Sequence, residues 1–225
     1  MTYRHIDATA HLQAHDPILG ALIDIVGPCT LKLRRDRFDT LVRSILSQQI
    51  STAAARTIRG RLEDRIGVPR PETLLALSVE ELRECGVSPQ KASYLRDLAE
   101  HVSSGRLPLN RLGRLSDDEV IERLIAVKGI GRWTGQMFLM FSLGRPDVLP
   151  HDDLGIRAAM RRLYDLPDMP KRDEMDEIAA PWRPHATLAC WYLWRSLELK
   201  SPTKVDVTIA RRKSPLRRPS RPERE

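Results

Sequence analysis

Apolar residues recur along this chain at intervals of three and four, and polar cap residues precede most of the stretches they define. That pattern predicts one helix after another. Asp16-Pro17 opens an apolar segment, Ile18 to Val26, which stops at Gly27-Pro28. Phe38 to Ser47 follows, with Leu41, Ile45 and Leu46 apolar and Asp39 near its start. Ser51 caps a third stretch, in which Ala54, Ile58, Leu62 and Ile66 fall at steps of four before Gly67. Pro71 to Leu77 reads as a short helix, and Ser78-Val79-Glu80-Glu81 as a capping box whose helix ends at Cys85-Gly86. Ser88-Pro89 sets a cap and then a proline at the first helical position, with Ala92, Leu95, Ala99 and Val102 inward. Gly105 to Pro108 is a linker. No run alternates with β-branched enrichment, so the expected fold class is all-α.

The second half of the chain carries a more specific pattern, from Val127 to Asp153. Ser116-Asp117-Asp118-Glu119 has the form of a capping box, and Val120, Leu124 and Val127 keep helical spacing behind it. Gly129 and Gly131 permit a tight turn, and a second helix follows with Thr134, Met137, Phe138 and Phe141 on one face. The unit is helix, short hairpin, helix. Such a hairpin can aim backbone N–H groups, and the start of its second helix, at a phosphate oxygen. Beyond it, Ile156 to Leu163 is helical, Leu166 to Pro170 interrupts, and Arg172 to Ala180 resumes. Pro181-Trp182-Arg183-Pro184 then leads into a last helix, Ala186 to Leu199, loaded with Trp191, Tyr192 and Trp194.

Charge and cysteine usage narrow the picture. The chain has 225 residues and a net charge of +7, but residues 201–225 hold eight Lys or Arg against three Asp or Glu. That tail therefore carries +5 of the excess and leaves +2 for residues 1–200. Its composition reads as a disordered basic arm; such arms add affinity for nucleic acid by counterion release without base preference, and solubility or chance is an equal alternative for the tail alone. A nearly neutral body cannot hold DNA by charge density, so backbone amides and local basic groups must carry more of the contact. Cys29, Cys85 and Cys190 form no C-x-x-C pair, so neither a disulfide framework nor a cysteine metal knuckle is expected. His11 and His15 lack a nearby third ligand and read as a solvated helix face. With no signal-like or membrane-spanning stretch, a cytoplasmic protein is the default, or a nuclear one in a eukaryote.

Four motifs in order carry a resemblance: Ile45-Leu46-Ser47-Gln48-Gln49-Ile50-Ser51, Gly86 to Leu95, Val127 to Asp153, and Trp182-Arg183-Pro184 with the aromatic helix. Together they resemble the helix-hairpin-helix (HhH-GPD) superfamily of DNA glycosylases, and most closely its alkylpurine branch, the 3-methyladenine DNA glycosylase II (AlkA-type) enzymes. The resemblance covers roughly Asp16 to Leu199. It implies two helical lobes, roughly 38–135 and 1–37 plus 136–200, with a base-binding cleft at their junction. It implies a monomer acting on double-stranded DNA with damaged bases, in base excision repair, and no membrane.

The same resemblance lends roles to particular residues. Asp153 matches the carboxylate that faces the target sugar; the alternative is that either aspartate simply caps the helix starting near Leu154, a role left to its neighbour Asp152. Trp194 matches the ring that stacks on the flipped base, while Trp133 and Met137 line the same pocket. For both tryptophans the alternative is core packing. Gln49 matches the residue that wedges into the duplex, and Lys128, Gly129, Ile130 and Gly131 form the DNA-binding hairpin. Strand-cutting members place a lysine where this chain has Trp133, so no lyase activity is expected. The resemblance calls for no cofactor, and admits a sodium or potassium ion at hairpin carbonyls near Val127 and Gly129.

A carboxylate suits this reaction because breaking an N-glycosidic bond builds positive charge on the sugar, which a held anion stabilises. The target base must leave the duplex, and an alkylated purine carries positive charge that an indole face attracts. Two other readings stay open: a non-catalytic helix-hairpin-helix DNA-binding module, and a glycosylase for deaminated or oxidised bases.

Overall fold

The computed structural model describes residues 5–199, with side chains from residue 7. The basic tail expected at 201–225 lies outside the described residues. Among those described, every regular element is a helix. They divide into two compact units, one drawn from 5–31 and 146–199 and the other from 32–145.

The first unit is built around helix α12 (Ala186–Glu198), whose residues Ala186 to Leu193 are all buried. A helix buried nearly all round is a central one. Against it pack α1 (His5–His15), α2 (Pro17–Val26) and α10 (Leu154–Tyr164), while α11 (Arg172–Ala179) leads to Trp182. Asp16 knots these elements together. Its Oδ1 accepts the N–H groups of Ile18 and Leu19, capping α2, and its Oδ2 accepts Tyr164 Oη–H and Trp182 Nε1–H. The carboxylate is buried, and a buried charge is tolerable only with partners of this kind.

The second unit holds α3 (Arg37–Ser47), α4 (Thr52–Ile66), α5 (Pro71–Leu75), α6 (Val79–Glu84), α7 (Pro89–Ser103), α8 (Asp117–Ile125) and α9 (Arg132–Phe138). Phe38, Leu41, Val42, Ile45 and Leu46 of α3 and Ala92, Leu95, Leu98 and Ala99 of α7 supply much of its core. The capping boxes at Ser78 and Ser116 form as their spacing predicts.

Several expectations shift. The helix after the hairpin stops at Phe138 and widens into a π turn over Leu139–Leu143, ending at Gly144 with φ +69°. An extended segment beside it explains the change, because Arg34 N–H donates to Phe141 O at 2.8 Å and Ser142 Oγ–H donates to Arg34 O. Those bonds also bring 32–37 and 136–145 into the second unit, so the division falls at 31/32 and 145/146. The boundaries expected near 38 and 135 lie inside it. Of the α4 stripe, Leu62 is buried whereas Ala54 is exposed. Asp36, not Asp39, caps α3. His11 is half-buried, donates to Pro181 O and stacks on His15, so the two are not simply a solvated face.

Candidate active site and DNA grip

In the second unit, the hairpin between α8 and α9 is assembled from below by α7. Tyr94 lies so close to Gly129 that a Cβ there would sit 2.2 Å from its ring, and Gly129 itself takes φ +79°. Both facts demand glycine. One turn further along α7, Asp97 Oδ2 accepts the Lys128 N–H at 2.8 Å. Ile130 N–H returns to Val127 O. The hairpin amides of Lys128 and Ile130, both candidates for phosphate, are thus engaged inside the protein. Those of Gly129, Gly131 and Arg132 have no acceptor among the described residues and stand at the start of α9, where an anion is favoured. The Lys128 side chain is 70% exposed, and its ammonium stands 4.0 Å from Asp97 Oδ1 beside them.

The turn between α3 and α4 belongs to the same assembly. Gln49 is exposed with φ +56°, a left-handed conformation uncommon for a residue other than glycine, and Ile50 beside it is also exposed. Gln48 Nε2–H donates to Gly129 O at 2.8 Å, and Lys91 Nζ–H donates to Leu46 O at 2.7 Å. Val127 O and Gly129 O each accept one bond already, and each keeps a second lone pair, so the oxygen donors of this turn fit a hard monovalent cation. Along α9, Trp133 is 42% exposed, so core packing is not its role. Met137, one turn on, shares that side of the helix and is half-buried.

The carboxylate site forms in the first unit. Asp153 is 7% exposed and is itself the N-cap of α10, its Oδ1 accepting the Ile156 N–H at 2.8 Å. The cap assigned to Asp152 therefore falls one residue later, and Asp152 is exposed. Trp194 Nε1–H donates to the same Oδ1 at 3.1 Å, so the two residues expected to meet the sugar and the base are joined. The Trp194 ring is half-buried. Gly155 is the reason they can approach: a Cβ there would lie 3.1 Å from Asp153 Oδ1 and 3.2 Å from the indole edge. Beneath them, burial and the negative charge of Asp153 push the Cys190 thiol well up, so it stays protonated and inert.

Chemically, then, one unit offers main-chain donors and a lysine for a phosphodiester, with a fixed exposed turn beside them, and the other offers a buried carboxylate locked to an indole. Of the residues named from sequence, the Lys128 and Ile130 amides are engaged internally, while Gln49 is exposed and Asp153 buried. Sequence reasoning missed Gln48, Tyr94, Lys91, Asp97 and Gly155, which hold them. Glycine at 155, two residues after an aspartate cap, was the one visible signal. Among the described residues no group of three or more His, Cys, Asp or Glu could hold a metal, and no helix is long and apolar enough to cross a membrane.

Comparison with known proteins agrees with this arrangement. The family model for HhH-GPD superfamily base excision DNA repair proteins matches residues 42–184. The DNA-3-methyladenine glycosylase 1 of Schizosaccharomyces pombe is 39% identical over 88% of this chain and 90% of its own length. The solved structure of the 3-methyladenine DNA glycosylase from that yeast, in complex with abasic DNA, matches with TM-score 0.77 at 37% identity, covering 86% of this chain and 98% of that one. A DNA-3-methyladenine glycosidase from Bacillus halodurans matches with TM-score 0.76 at 39% identity, over 87% of this chain and 89% of that one. The chain belongs to the HhH-GPD superfamily of base excision DNA repair proteins.

Proposed function

We propose that the chain is a monofunctional DNA-3-methyladenine glycosylase, hydrolysing the N-glycosidic bond of alkylated purines flipped out of double-stranded DNA. The observation that carries this reading is the buried Asp153 carboxylate fixed by its own cap and by the indole of Trp194, in a chain of this superfamily. Asp153 stabilises positive charge on the sugar and orients the attacking water. Trp194 offers its face to a cationic base. Gln49 enters the gap that the base leaves, while Lys128 and the amides around Gly129 and Gly131 hold the backbone. A sodium or potassium ion on the Val127 and Gly129 carbonyls would add positive charge at the same place. Trp133, standing where a Schiff-base lysine would be needed, limits the reaction to base release. The protein acts as a monomer.

The test is base release from duplexes carrying methylated purines or hypoxanthine, scored for wild type and Asp153→Asn, with strand breaks counted with and without alkali. Methylated purine should be released by the wild type alone, with breaks only after alkali. No release from any substrate would leave the binding-module reading, and breaks without alkali would refute the monofunctional one.

A further inference from the structure

We propose that Gln48 is a positioning residue that ties the Gln49 turn to the hairpin, so that gripping the strand and inserting into the base stack occur as one step. The proposal rests on the reading of Gln49 and the hairpin given above. Gln48 and Gly129 are 81 residues apart in sequence, yet the carboxamide of one bonds the carbonyl of the other. On the hairpin side that carbonyl is braced against α7, because the Tyr94 ring backs Gly129 and Asp97 holds the Lys128 amide. On the turn side, Leu46 O is held by Lys91 and Gln48 N–H returns to Ile45 O at 3.3 Å, while Ser51 caps α4 immediately after. Gln49 lies between these fixed points.

Its left-handed backbone is strained, and such strain persists only where the surroundings over-determine it. The Gln48 to Gly129 bond is the element that does so from the hairpin. A movement of the hairpin on engaging phosphate is then transmitted to Gln49. The group required is a carboxamide, since only a donor can bond a carbonyl; a carboxylate of the same shape would set acceptor against acceptor.

The experiment uses the full chain and a duplex containing a tetrahydrofuran abasic analogue next to 2-aminopurine, whose fluorescence rises when its neighbour is displaced. Binding to undamaged duplex is followed separately by anisotropy. For Gln48→Glu, undamaged binding should stay within about twofold of wild type while the insertion equilibrium falls about fivefold, the worth of one neutral hydrogen bond. In a Gln49→Ala background the same change should add nothing, because Gln48 acts through Gln49. Equal losses in both measurements, or the same loss without Gln49, would overturn the proposal. Gln48→Ala, which removes the donor without repulsion, gives the same readout if Gln48→Glu fails to fold. A wild-type fluorescence rise that Gln49→Ala leaves intact overturns the proposal together with the wedge reading. Absent base release by the wild type overturns only the glycosylase reading.

Discussion

Two aspartates in the first unit start from the same local chemistry and end in different places. Asp16 and Asp153 each cap a helix, each is buried, and each accepts an indole N–H. Around Asp16 the walls are closed: Trp182 is fully buried, and Tyr164 joins it on Oδ2 while the cap occupies Oδ1. Around Asp153 they open. Leu154, the next residue, is 68% exposed, Asp152 is exposed and Trp194 is half-buried. A cap with a tryptophan partner is therefore not a function in itself. What surrounds it decides whether the carboxylate is sealed among packed side chains or lies next to exposed ones.

The contrast breaks most readily at Asp16. Asp16→Ala removes the cap and strands a buried tyrosine hydroxyl and indole N–H, so unfolding free energy by urea titration should fall by at least about 3 kcal/mol. A loss under about 1 kcal/mol would mean that the node is not holding the unit together. Asp153→Asn should do the opposite. Asparagine caps a helix as well as aspartate and can still accept from Trp194, so stability should change by less than about 1 kcal/mol. Base release in single turnover should nevertheless drop on the order of 10²–10³-fold, since the developing charge loses its anion. Comparable stability losses at both positions would erase the distinction.

Most of the fold was legible because its signals are local. Caps, boxes and stop residues act within four positions, and Ser78, Ser88 and Ser116 each open the helix that their spacing announces. The site was legible only as residue types in order. Asp97 bonds a hairpin amide 31 positions away, and nothing in the sequence around either residue encodes that pairing. The π turn at Leu139–Leu143 arises from the Arg34 segment, more than a hundred residues upstream, which no periodicity in the helix itself could reveal. The choice between Asp152 and Asp153 as cap turned on a one-residue register, which preference for aspartate cannot decide because both positions carry it.

A smaller change sharpens the open site. Trp194→Phe keeps an aromatic face but deletes the donor to Asp153 Oδ1, and should lower base release about tenfold, the value of one hydrogen bond to a charged group at the low end. Restoring a ring without the N–H to full activity would show that the indole serves only as a face.

The closed site can be probed more finely through pH. Burial, then the charge of Asp16, pushes the Tyr164 hydroxyl well above its ordinary value near 10. The folded state therefore favours the neutral phenol more than the unfolded chain does. This contribution is fully present below about pH 10, the unfolded value, and is lost as pH rises toward the folded one, by at most about 1.4 kcal/mol per pH unit. Tyr164→Phe has no proton to lose. In urea titrations from pH 9 to 11, the stability gap between wild type and Tyr164→Phe should thus hold up to about pH 10 and narrow above it. A gap that stayed constant over that range would show that the phenol is not held against a charged Asp16, and the sealed half of the comparison would need another anchor.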